Sequence, residues 1–99
     1  MYASVITTQL KRGTMAEAIS IYAESIVPAM QYQPGFEGAN LMINEDTDTA
    51  VSTTYWETKT AMLASEASGY LQGRLAQIGE LLTAPPANSH YEVAVKVSV

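Results

Sequence analysis

Hydrophobic and polar positions in this chain change period several times, and each change marks an element. Residues Tyr2 to Leu10 mix Val5 and Ile6 with threonines, a composition that suits a pleated strand, and Lys11-Arg12-Gly13 ends it. Thr14-Met15-Ala16-Glu17 matches a capping box, in which the Thr14 hydroxyl accepts from the Glu17 amide and the Glu17 side chain reaches back. Apolar residues then recur at helical spacing through Met15, Ile19, Tyr22, Ile26 and Met30. Pro28 falls inside that stripe, where its missing N–H predicts a kink or a looser turn. Gln33-Pro34-Gly35 stops the helix.

Phe36 to Asn44 and Ala50 to Glu57 read as a second and a third strand, joined by the acidic turn Glu45-Asp46-Thr47-Asp48. Along the third, Thr49, Val51, Thr53 and Tyr55 share one face, and Ala50, Ser52, Thr54 and Trp56 the other. Which of Tyr55 and Trp56 turns toward the helices is open, because a one-residue slip exchanges them. A second helical region starts near Thr58 or Lys59, is interrupted at Ser68-Gly69, and carries the stripe Leu71, Leu75, Ile78, Leu81, Leu82. Pro85-Pro86 closes it. Tyr91 to Val99 alternates as a last strand, whose odd-numbered valines are expected to face the helices, leaving Glu92 and Lys96 on the other side.

The order β-α-β-β-α-β predicts an α+β, ferredoxin-like fold with a four-stranded antiparallel sheet and both helical regions on one face. The opposite face then needs a cover, and a second copy of the same sheet is the simplest. The 99 residues fit one domain, 1–99, with a thin core. Charged residues make up only 15%, which leaves less polar surface than a monomer usually carries and favours self-association.

The remaining composition removes function classes. There is no cysteine, so disulfides and thiolate chemistry are excluded, and the single histidine, His90, makes a histidine-rich metal site unexpected. A net charge of −5 opposes nonspecific binding to nucleic acid or an anionic membrane. No apolar run approaches the ~20 residues that span a bilayer. Met1 leads almost directly into a strand, with no basic and apolar leader before it, so the expected location is the cytoplasm. Asp46 and Asp48 stand at calcium-like spacing but lack the later ligands of a calcium loop.

Three short segments carry a family likeness: Pro34-Gly35-Phe36-Glu37-Gly38 entering the second strand, Tyr55-Trp56-Glu57-Thr58 ending the third, and Leu81-Leu82 through Pro85-Pro86 to Tyr91-Glu92-Val93. Through them the whole chain resembles the antibiotic biosynthesis monooxygenase-like family of dimeric α+β barrels. The resemblance implies a homodimer with a pocket between sheet and helices in each subunit. It also implies a cofactor-independent monooxygenase, or a related pocket enzyme, acting on a small aromatic or polyketide-like molecule without any cofactor. Members that act on polyketide-like substrates have an Asn shortly before the Trp and a Tyr shortly after. Ser52 and Met62 stand near those places here, so Trp56 alone carries over. The haem-degrading branch needs an axial histidine on the second helix, and Lys59 to Thr83 contains none.

Cofactor-free oxygenation requires an aromatic wall, a proton acceptor and donors to the resulting anion in a dry pocket. Trp56 is the candidate wall. Tyr22, Tyr55 and Tyr70 are candidate donors to substrate, Arg74 and Asn40 candidate holders of an oxyanion, and His90 a candidate base. Each also has a plain structural reading: core packing for Trp56 and Tyr22, solvated surface for Arg74 and His90. Three functions therefore stay open. An enzyme predicts a cavity with uncommitted polar groups. A non-catalytic small-molecule-binding dimer predicts a cavity whose polar groups are paired and which has no base. A structural module predicts an interior filled by methionine and leucine.

Overall fold

The computed structural model describes residues 1–99 except for the side chain of Gln72. The elements are β1 (Tyr2–Gln9), α1 (Met15–Ile21), a π-helical turn (Tyr22–Ile26), α2 (Val27–Met30), β2 (Phe36–Asn44), β3 (Thr49–Trp56), α3 (Lys59–Ala67), α4 (Gln72–Gly79) and β4 (Ala87–Glu92). The sheet is antiparallel throughout, in the order β2-β3-β1-β4. This is the ferredoxin-like arrangement that the order of elements predicts.

Local chemistry explains most boundaries. The looser turn falls just before Pro28: the proline has no N–H for the carbonyl one turn earlier, and the helix widens over Tyr22–Ile26 before continuing as α2. The Thr58 hydroxyl accepts from the Ala61 amide at 3.0 Å and starts α3. Gly69, at φ 73°, separates α3 from α4. In the β2–β3 hairpin the Asn44 side chain accepts from the amides of Asp46 and Thr47 at 3.0 and 3.3 Å. The expected capping box does not form. The Thr14 hydroxyl instead donates to the carbonyl of Lys11 at 2.7 Å and closes the turn before α1.

The last strand differs from its expectation in both place and facing. It occupies Ala87–Glu92, earlier than Tyr91 to Val99. Pairing with β1 sets the place: Thr7 lies opposite Ala87, Tyr2 opposite Glu92, and the Val93 amide makes a last bond to the Met1 carbonyl. After Glu92 the chain leaves the sheet, and Val95, Val97 and Val99 are exposed. Facing follows from the same register. His90 stands opposite Ser4, so Asn88, His90 and Glu92 share the helix-side face with Ser4 and Ile6. The odd-numbered positions take the other face.

One part of the core gathers Leu10, Ala18, Ala50 and Leu81, with Met15, Leu41 and Ile78 against them. A second part holds Trp56, Met30 and Met62, all almost wholly buried. The Phe36 ring meets the Trp56 ring edge-on, with centroids 5.6 Å apart. Among the described residues no helix is long and apolar enough to cross a membrane.

Candidate functional site

Between the sheet and the helices lies an apolar cavity of about 270 Å³, bordered by both parts of the core. Even-numbered positions of β1 and β3 form its floor: Ser4, Ile6 and Thr8 from the first, Ala50, Ser52, Thr54 and Trp56 from the second. Helical residues such as Ile19, Ile26 and Leu75 form its roof. Its size is near the lower end for small-molecule sites. An interior filled by methionine and leucine is therefore not what this sequence builds.

Trp56 turns inward, which settles the register question. Its ring lines the cavity, and its indole N–H donates to Thr54 Oγ1 at 2.9 Å. The indole thus offers a ligand an apolar surface with its donor already used. Tyr55 and Asn40 lie on the outer face of the sheet, away from the cavity, where the Asn40 amide is 3.5 Å from the Tyr55 hydroxyl. The two-residue period of a strand places them there once Trp56 is buried.

Tyr22 lines the cavity from the π turn. Its hydroxyl donates to the Asn40 carbonyl at 3.3 Å and accepts from Ser52 Oγ at 3.4 Å. Burial raises its pKa, and the Ser52 hydrogen bond partly opposes that rise. Tyr70 lines the cavity from the bend between α3 and α4, and its hydroxyl has no hydrogen-bond partner among the described residues. Burial, with the Glu66 carboxylate and Tyr22 adding to it, pushes the Tyr70 phenol up to about 12. Tyr70 is therefore a neutral, uncommitted donor at neutral pH.

Arg74 does not line the cavity. Its Nε donates to the Ser25 carbonyl at 3.0 Å and its Nη1 to the Tyr70 carbonyl at 2.8 Å. The guanidinium ties the π turn to the bend that carries Tyr70, so its contact with a ligand is indirect.

The residue that sequence reasoning missed is Glu66. It lies one turn beyond Met62 on α3, and Met62 is fully buried, so helical spacing carries Glu66 toward the same side. Glu66 is part of the cavity lining, with its side chain 31% exposed. The Ser4 hydroxyl donates to Glu66 Oε1 at 2.9 Å, and His90 Nε2 lies 2.8 and 3.0 Å from the two carboxylate oxygens. Asn88 stands beside Ser4, its amide 3.2 Å from Ser4 Oγ. The His90 ring is outside the cavity, 38% exposed, and reaches it only through Glu66. The helical spacing from Met62 was a legible signal for Glu66. The pairing that brings His90 to it was not, because that pairing depends on the β1–β4 register.

No lysine or arginine lines this cavity among the described residues, and they contain no cluster of His, Asp and Glu fit to hold a metal ion. Its chemistry is that of an aromatic slot with a carboxylate and a phenol in its wall.

Comparison with known proteins places the fold. A monooxygenase of Streptomyces coelicolor, solved in complex with nanaomycin D, superposes with a TM-score of 0.82 at 17% identity, over 99% of this chain and 91% of that one. A cofactor-independent oxygenase of Streptomyces nogalater superposes with a TM-score of 0.81 at 20% identity, over 97% and 95% of the two chains. A protein of Mycobacterium tuberculosis does so with a TM-score of 0.77 at 20% identity, over 98% of each. No curated protein sequence matches. The family model described as antibiotic biosynthesis monooxygenase matches residues 1–94, and the chain belongs to that family.

Proposed function

We propose that the protein is a cofactor-independent monooxygenase of a small aromatic or polyketide-like molecule. The observation that carries this reading is Glu66, the one carboxylate-bearing residue among the described residues in the lining of a largely apolar cavity that Trp56 also lines. A purely binding protein gains nothing from a base at the edge of its ligand site, whereas proton removal is the step that cofactor-free oxygenation needs. An acidic CH₂ of the substrate loses a proton and becomes a carbanion that can react with dioxygen. Two C–H bonds break, a C=O bond forms, and the second oxygen atom leaves as water. The substrate supplies the electrons. Trp56 packs on the aromatic body, and Tyr70 donates to the oxygen on which the negative charge collects. The two similar Streptomyces oxygenases support the reading by fold only.

The functional unit in this proposal is a homodimer. The outer face of the sheet presents Val5, Val51 and Tyr55, with Met42 and Tyr91 each 56% exposed. The unpaired valines after β4 continue the same apolar character. A second copy covers this face.

The test is a thermal-shift screen with polycyclic phenols, anthrones and quinones, followed by oxygen uptake with each compound that binds. A ligand at a hundred times its dissociation constant adds about 2.7 kcal/mol. Binding with stoichiometric oxygen uptake supports the proposal. Binding without uptake points to the carrier reading, which the pairing of nearly every other polar group in the cavity favours.

A further inference from the structure

We propose that the Glu66 carboxylate is the catalytic proton acceptor of this cavity, aimed by His90 as a positioning residue, and that the cavity therefore takes an uncharged keto or hydroxy aromatic in preference to an anion. The inference rests on the cavity being the site of chemistry, as proposed above, and it names the acceptor and the charge class of the substrate.

The geometry carries it. Glu66 is the one carboxylate in the lining among the described residues, and its two oxygens are held from outside and from the sheet. An ionised carboxylate 2.8 Å from His90 Nε2 requires the proton of that ring on Nε2, so the imidazole donates. Ser4 donates to the same Oε1 at 2.9 Å. These two donors come from neighbouring strands at paired positions, Ser4 opposite His90, so the carboxylate is fixed by the sheet rather than by its own flexible side chain. These contacts engage Oε1 twice and Oε2 once, which leaves acceptor capacity on Oε2.

The same arrangement selects against anions. No cation lines the cavity among the described residues, so an anionic ligand would face the Glu66 carboxylate with no positive group in the lining to offset the repulsion, which solvent at the 31% exposed Glu66 side chain screens only in part. In the step itself, a C–H bond of the ligand breaks. Its electron pair stays on the ligand as an enolate, and the proton bonds to a Glu66 oxygen. No oxidant is needed for this half of the reaction, so it can be read without oxygen.

The experiment uses dithranol, an anthrone with an acidic CH₂, incubated without oxygen in deuterated buffer. Deuterium uptake into its CH₂ reports proton removal alone. The protein should accelerate uptake, and Glu66→Gln should lower that acceleration about 100-fold, the usual scale for a general base. Chrysophanol and rhein share an anthraquinone body and differ by a methyl against a carboxylate. Chrysophanol should bind about tenfold tighter (an estimate from the partly screened like-charge repulsion above), and E66Q should narrow that preference while keeping chrysophanol affinity, which also shows that the variant folds. His90→Ala should slow exchange with little change in affinity, and added imidazole should restore part of the rate. A merely structural histidine would not be rescued in this way. Equal exchange by E66Q and the unmodified protein, or equal binding of rhein and chrysophanol, would overturn the proposal. Acceleration of exchange without oxygen uptake in air would retain Glu66 as proton acceptor and overturn the oxygenase reading alone.

Discussion

Trp56 donates its indole N–H to the hydroxyl of Thr54, two residues earlier on the same strand, at 2.9 Å. Both side chains are buried, Trp56 to 1% and Thr54 to 7% relative exposure. Strand geometry makes the pairing possible, because residues two apart point to the same face. Replacing Trp56 by Phe removes the donor and part of the cavity wall. A loss of about 1–3 kcal/mol is expected from the lost hydrogen bond and the void together. Urea unfolding of the variant gives the number. An unchanged midpoint would mean that the indole is not the packed core residue described here.

Gly35 is required twice over. Its φ is +80°, and a Cβ there would stand 2.6 Å from the Cβ of Ala61 on α3. Gly35→Ala should therefore cost more than the ~1 kcal/mol of left-handed backbone strain alone. Adding Ala61→Gly should recover the steric part and leave the backbone part. If the double variant is no more stable than G35A in chemical denaturation, the close approach of this turn to α3 is wrong.

The raised pKa of Tyr70 has a consequence for stability. The phenol sits near 10 when unfolded and is pushed up to about 12 in the fold. Its neutral form is favoured by folding, so its contribution is complete below about pH 10 and is lost as pH rises toward 12. Stability should fall across that window, and Tyr70→Phe should flatten part of the fall. Thermal melts of both proteins through the alkaline range test this, and identical slopes would count against it.

Arg74 donates to two backbone carbonyls, on Ser25 and on Tyr70, from two different nitrogens of one planar group. Lysine cannot reproduce that geometry. Arg74→Lys and Arg74→Ala should destabilise by similar amounts, about 1–3 kcal/mol. The measurement is again the unfolding midpoint, and full rescue by lysine would show that charge alone matters.

The proposed dimer is tested at Val5, which lies on the outer face in the middle of β1. Val5→Lys places a charge where a second sheet would pack. Sedimentation velocity should report a dimer for the unmodified protein and a monomer for the variant. A monomer in both cases would remove the homodimer from the proposal.

Several features were legible in the chain itself, because they depend on neighbours in sequence. Alternation and helical spacing marked four strands and two helical regions, Pro28 announced the widened turn, and Ser68-Gly69 announced the break between α3 and α4. Trp56 stood out as a buried aromatic, and it lines the cavity. Thr14 misled because its hydroxyl had two local partners to choose from, and the Lys11 carbonyl won.

The tertiary structure decided what depends on register. Alternation alone cannot say which face of a strand is inward, so Tyr55 and Asn40 looked as eligible as Trp56 until the pairing placed them outside. The valines at the chain end looked like the best strand residues, yet the register with β1 puts Ala87–Glu92 in the sheet instead. Glu66 and His90 are 24 residues apart on a helix and a strand. Their meeting follows from helix-side packing of α3 and from Ser4 standing opposite His90, two long-range relations that no local pattern encodes.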